Sequence, residues 1–208
     1  MQQNKTGRIR AGLLLVCMAL STAVAADPAP AAPPEMQAQM AKMPPEIKQM
    51  MMSYTPELRQ KVMGLSPELR ATISQVHGQH TRKSKQLTLR QVMQEILSEY
   101  QSIAAALATD NAEQAADSAQ RLANHRIPKG GLLPYFPLDK LNNADMGVLP
   151  AMNDAVEGSA LRLAEAAEKG DMSKAATHMS DIMSGCVACH QKFRGIPGVT
   201  ANLTTPLK

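Results

Sequence analysis

The chain has no tryptophan, and only two phenylalanines and three tyrosines among its 208 residues. That scarcity argues against sheet, whose strands draw on aromatic side chains, and in favour of helices. Cysteine is rare too, with three residues. No second cysteine pair exists to complete a four-ligand structural zinc site. Beyond the N-terminus, no run approaches the roughly 18 apolar residues of a transmembrane helix, so no membrane span is expected. No acid–base pair or nucleophile constellation points to an enzyme. Abundant alanine and 15 methionines stand in place of aromatics. They imply a core of small and flexible side chains, with room for a prosthetic group.

The N-terminus sets the compartment. Lys5, Arg8 and Arg10 precede an apolar stretch from Ala11 to Leu20, and Val24 and Ala26 form a small-residue cleavage pair before Asp27. This pattern is that of a secretory signal peptide over residues 1–26, too short and wrongly flanked for a membrane span. Cys17 raises a lipid anchor as an alternative, but Val16 before it fits that processing poorly. Removal of residues 1–26 leaves 19 basic against 18 acidic residues, a net +1. So neutral a chain gives no electrostatic case for nucleic acid. The expected location is the periplasm.

Residues 27–34 form a stiff proline-rich spacer. An internal repeat follows, with Pro-Glu at 34–35, 45–46, 56–57 and 67–68, a period of eleven. Apolar residues recur within each unit at i, i+4 and i+7, as in Leu58, Val62 and Leu65, which is one face of a helix. Thr55 and Ser66 stand as N-caps before proline at the first helical position. Proline in every unit argues against one continuous helix, so the region 27–85 reads as an extension of short linked helices. Residues 77–85 read as a polar hinge.

The segment 86–208 reads as an all-α, antiparallel four-helix bundle. Its first helix spans about 86–108, with a stripe through Leu89, Met93, Ile96, Leu97, Tyr100, Ile103 and Leu107. The second spans about 110–126, capped by Asp110 or Asn111. A loop with three prolines and three glycines covers 127–147, and the third helix runs from about 148 to 169. Gly170 stops it and Asp171 caps the fourth. That last helix presents Ala175, Met179, Ile182, Met183, Cys186, His190 and Phe193 on one face and ends at Gly195 and Pro197.

Cys186-Val187-Ala188-Cys189-His190 has the spacing of a haem c attachment motif. Two thiols must reach the two vinyl groups of one porphyrin, and the imidazole must stand under the iron as an axial ligand. At about 100° per residue, Cys189 lies about 60° to one side of Cys186 and His190 about 40° to the other, so all three share a helix face. A thioredoxin-like redox site would want a βαβ setting, and a plain disulfide would leave His190 unexplained. One covalently bound haem, with its iron on His190, is the expectation.

From 86 to about 197 the chain resembles the class II c-type cytochromes, the cytochrome c′ family. The motif lies on the last helix and continues as Cys189-His190-Gln191-Lys192-Phe193-Arg194, matching the aromatic–basic pair of that family. Ala166 to Asp171 resembles its third-to-fourth helix turn, and Arg90 to Met93 resembles its first-helix segment across the far face of the haem. The resemblance implies a four-helix bundle and an electron carrier or a binder of diatomic gases. The repeats at 34–77 lie outside the minimal bundle of that family and could pack on it, hold a partner or brace a homodimer. Met93 lies three residues after Arg90, one short of the family's register for the residue facing the iron. It is either an axial thioether or one more residue of the stripe. Arg194 either neutralises a haem propionate or complements the helix dipole.

His77, His80 and Met50 to Met52 offer donors to copper, although the helical spacing of the methionines favours packing. His125 and His178 have no partner in the sequence and read as surface or bundle-edge residues. The expected function is a periplasmic one-electron carrier serving redox partner proteins. The alternative is a five-coordinate haem protein that binds NO or CO.

Overall fold

The computed structural model describes residues 33–194. The expected signal peptide at 1–26 and the expected helix stop at Gly195 and Pro197 lie outside the described residues. The fold is all-α. The described residues contain a single isolated β-bridge, between Lys83 and Ile127, and no helix long and apolar enough to cross a membrane.

Four short helices come first: α1 (Pro34–Ala41), α2 (Pro45–Met52), α3 (Pro56–Met63) and α4 (Pro67–Gly78). Each starts on the proline of its repeat, where the missing N–H costs nothing. Thr55 Oγ1 and Ser66 Oγ accept from the backbone N–H of Leu58 and Leu69, as N-caps. The eleven-residue period is also a period of burial. Met40, Met51, Val62 and Ile73 are all buried, as are Tyr54 and Leu65 one turn further along. An arginine ties back the two later turns. Arg59 donates to the carbonyls of Met51 and Tyr54, and Arg70 to those of Met63 and Leu65 at 2.6 and 3.0 Å. These bonds satisfy carbonyls that a helix end leaves open. Arg70→Ala is expected to lower stability by about 1–2 kcal/mol, read as a shift in the urea midpoint at unchanged slope.

The segment expected to act as a hinge is instead bonded along its length. The Ser84 N–H donates to the Ile127 carbonyl and the Ile127 N–H to that of Arg82, while Asn124 bonds Thr81 through both its side-chain oxygen and nitrogen. Arg82 and Arg126 converge on the carboxylate of Glu95, at 2.8 and 2.7 Å. Paired backbone groups join this stretch to the 124–127 segment.

Four longer helical segments follow. Helix α5 (Leu89–Ala108) opens on a capping box from Thr88 and Gln91. Asp110 takes a left-handed φ of +55°, and Asn111 caps α6 (Ala112–Ala123). After a 3₁₀ turn (Leu133–Tyr135) and the short α7 (Asn143–Met146), α8 (Leu149–Asn153) runs through a π-helical turn (Asp154–Gly158) into α9 (Ser159–Glu168). Gly170 adopts a left-handed φ, and Asp171 caps α10 (Met172–Phe193) by accepting from the Lys174 N–H. Helix α6 packs on α5 and α9, and α10 packs on α9, on the π turn and on α5.

Two cores result. The first lies among α5, α6, α9 and α10 and is built from Ile103, Leu122, Leu163, Ile182 and many alanines. The second joins the repeats to the 132–152 segment and to the end of α10, and holds Met51, Tyr54, Leu133, Phe136, Met146 and Phe193. The 127–138 part of the loop, with Met146, is therefore packed between the repeats and the helices, while most of 139–147 is exposed. The scarce aromatics concentrate here: Phe136 stacks on Phe193 at 4.9 Å, and the Tyr54 hydroxyl donates to the Gly130 carbonyl. Gly131 has a φ of +78°, and a Cβ there would meet His77 Cε1 at 2.8 Å, so glycine alone fits.

Candidate functional site

Helix α10 carries the motif at its C-terminal end. It runs unbroken through Cys186, Cys189 and His190, and Arg194 is its C-cap, bonded through its N–H to the His190 carbonyl. Both thiols are free and half-buried. Cys186 packs on the first core and Cys189 on the second, so the motif straddles the seam between the two. Burial raises both thiols above the ordinary range, and proximity to Cys186 helps push Cys189 up to about 11. They are therefore protonated at neutral pH rather than reactive thiolates. His190 is exposed, and desolvation, then the Arg194 charge, lowers its pKa. Met183, Val187 and His190, at i, i+4 and i+7, form an exposed stripe beside the thiols. Among the described residues, Cys186, Cys189 and His190 do not converge on one point as ligands of a bare ion would.

Across from the motif, α5 contributes Tyr100, whose phenol is raised by burial and by the neighbouring Cys186. Leu97, one turn earlier, is exposed. Met93 is half-buried but is not among the side chains packed on either core. Arg194 is exposed.

The approach of α10 to the π turn is close. A Cβ on Gly185 would lie 2.8 Å from Val156 Cγ2 and 3.0 Å from the backbone of Ala155. The π turn, a local widening frequent at functional sites, places Glu157 inside the protein. There Glu157 Oε1 meets His80 Nε2 at 3.0 Å and His125 Nε2 at 3.2 Å. Glu157 Oε2 accepts from Asn153 Nδ2 at 2.9 Å. Both imidazoles are anchored behind: His80 Nδ1 donates to the Val76 carbonyl and His125 Nδ1 to that of Arg126. The rings lie 4.6 Å apart, and all three residues are buried. Burial pushes the Glu157 carboxyl up, but the hydrogen bonds from His125 and His80 outweigh it and hold the group below its usual range. Burial likewise depresses His80, and the Glu157 carboxylate overcomes this to raise it.

This cluster corrects the reading of His125 as a surface residue and of His80 as part of a polar hinge. No linear spacing links positions 80, 125 and 157. Glu157 carries no local signal either, since Asn153, Asp154 and Ser159 surround it in the sequence. His178 is half-buried beside Asp181 at 3.3 Å. His77 lies over Gly131, and its Nε2 accepts from the Leu132 N–H at 3.3 Å. The chain matches no family model, no curated protein and no solved structure.

Proposed function

We propose that this chain is an exported c-type cytochrome that binds one haem through Cys186, Cys189 and His190 and passes single electrons between redox partner proteins. The observation that carries the reading is the arrangement on α10. Two protonated, unpaired thiols stand one turn apart on the same helix, with an exposed imidazole next to the second. A disulfide would have joined the thiols, and a bare metal site would have gathered all three side chains on one point. Neither is the case among the described residues. The donor set instead suits a flat group that takes two thioether links and one axial nitrogen. Packed helices α5, α6, the α8–α9 segment and α10 would then serve as the four-helix bundle expected of a class II cytochrome.

When bound, the haem supplies an iron that cycles between the ferric and ferrous states. The chain's own contribution is to fix and shield. Cys186 and Cys189 would each form one thioether link, each braced by its own core. His190 would supply the axial nitrogen, and Met183, Val187 and Leu97 offer apolar surface for the macrocycle to cover. Arg194, next to the His190 carbonyl, brings positive charge to the same helix end. Met93 is the candidate for the second axial position, because it is half-buried without packing on a core.

The visible spectrum of the mature protein, expressed with the haem-attachment machinery, tests this. A covalent c-type spectrum that is lost in both Cys186→Ala and His190→Ala is the expected result, and colourless wild-type protein would sink the reading. Carbon monoxide then separates the two roles. A low-spin spectrum unmoved by CO, and opened to it by Met93→Ala, marks the electron carrier. A high-spin spectrum that shifts with CO marks a gas-binding protein.

A further inference from the structure

We propose that His80, His125 and Glu157 bind one Zn²⁺ ion inside the protein, as a clasp that joins three distant segments of the chain. This inference is independent of the haem reading and concerns residues outside the Cys186–His190 motif.

The argument starts from the protons. A carbonyl can only accept, so Nδ1 of His80 and of His125 must each carry the hydrogen that goes to Val76 and Arg126. In a neutral ring, Nε2 is then bare. Neutral rings would thus set two bare lone pairs against one carboxylate oxygen, at 3.0 and 3.2 Å, which repels unless a metal ion stands between them; only if both rings are protonated can each Nε2–H donate to it. The candidate donor atoms all lie within 4.8 Å of one another. Zinc–nitrogen and zinc–oxygen bonds of about 2.0–2.2 Å would set tetrahedral neighbours about 3.4 Å apart, so Glu157 Oε1 needs to draw back from each nitrogen by only a few tenths of an ångström, while the two nitrogens already lie within 4.8 Å of one another.

The outer contacts are those a metal site requires. Each histidine is fixed in tautomer and orientation by a backbone carbonyl, and the second oxygen of the glutamate is held by Asn153. Two imidazoles and a carboxylate, with no sulfur, suit zinc among the common ions, whereas calcium and magnesium call for oxygen alone. The site lies inside, with His80 3%, His125 7% and Glu157 9% exposed. Three protein ligands leave the fourth tetrahedral position of zinc to a water, and burial of the whole cluster suits a structural role. His80 comes from the linker after α4, His125 from the turn after α6 and Glu157 from the π turn. An ion held by all three would close loops of 77 and 32 residues.

The competing account is that two protons do the same work, leaving a buried ion pair without metal. Titration calorimetry of the mature, haem-loaded, EDTA-stripped protein with Zn²⁺ alone distinguishes the two. One Zn²⁺ per chain with a submicromolar Kd, and a raised melting temperature, are expected. Glu157→Gln keeps the size and loses the charge, and should weaken binding by at least about 100-fold; His125→Gln should abolish it. The same titration of a Cys186→Ala, Cys189→Ala protein should return the wild-type affinity, which keeps the outcome separate from that of the haem reading. Absence of stoichiometric binding, or undiminished binding in both Glu157→Gln and His125→Gln, overturns the proposal. If those variants do not fold by circular dichroism, zinc-edge absorption of the wild-type complex decides. Two imidazole nitrogens and carboxylate oxygen at about 2.0–2.2 Å support the site, and sulfur or oxygen alone overturns it.

Discussion

Glu157→Ala is expected to lower the unfolding free energy of the metal-free protein by about 3–5 kcal/mol at neutral pH, measured by urea denaturation in EDTA. The size follows from what the change leaves behind. The Glu157 side chain is 12% exposed and that of His80 1%, so neither has water to turn to. Removal of the carboxylate strands two imidazoles that are already committed, through Nδ1, to backbone carbonyls. Either a charge is buried without a partner or two lone pairs face a void, and both outcomes are costly. A contrasting variant makes the cause visible. Replacing all three residues together, His80→Leu, His125→Leu and Glu157→Met, removes the stranded groups along with their partner and should recover most of the loss. If Glu157→Ala alone costs less than about 1 kcal/mol, water reaches Oε1 and the cluster is not the locked interior described above.

The second large effect is one of pH. Burial, with smaller contributions from the positive charges of His80 and Lys83, lowers the His77 pKa to about 4, while Glu157 acts weakly in the opposite direction. The geometry agrees, since Nε2 accepts from the Leu132 N–H and a proton there would face a donor. In the unfolded chain the same imidazole titrates near 6.5. The folded state thus binds the proton less readily than the unfolded state between those values. The contribution of His77 is fully present above about pH 6.5, is lost as pH falls towards about 4, and changes no further below that. The loss across that window is about 3 kcal/mol. His77→Gln keeps an acceptor for Leu132 and removes the titration. The stability difference between wild type and this variant should therefore shrink or reverse by about 3 kcal/mol from pH 7.5 to pH 4. A pH-independent difference would mean that the imidazole is solvated.

Helix positions were legible where caps and periodicity spoke locally. Thr55, Ser66 and Asp171 cap the helices they were expected to cap, and the sequence left Asp110 and Asn111 for the structure to separate. The repeat was legible as well, because proline at the first helical position and a buried residue eleven places on are both written in one dimension. The partner of that repeat was not. Residues 127–147, rich in proline and glycine, carry the marks of a surface loop, yet Leu133, Tyr135, Phe136 and Met146 are buried. Their apolar side chains follow no helical or strand period, so the layer they form shows only in three dimensions. At the motif, spacing alone brings Cys186, Cys189 and His190 to one face, because a single helix carries them. The His80, His125 and Glu157 cluster draws on three segments and a π turn. In sequence it survives only as His125 with no visible partner and His80 grouped with His77.

The repeat also bears on how this chain can change length. Burial at Met40, Met51, Val62 and Ile73 advances by eleven residues, and Arg59 and Arg70 each reach back one unit. Each rung thus carries its own start and its own inward residue, and the last two also carry a tie to the rung before. Gaining or losing a whole rung at the α1 end keeps every later side chain on its present face. Adding or removing ten or twelve residues breaks the spacing at which each start, inward residue and backward tie recur. Along this arm, then, insertions and deletions are filtered by arithmetic: multiples of eleven pass, and the rest unpick the core.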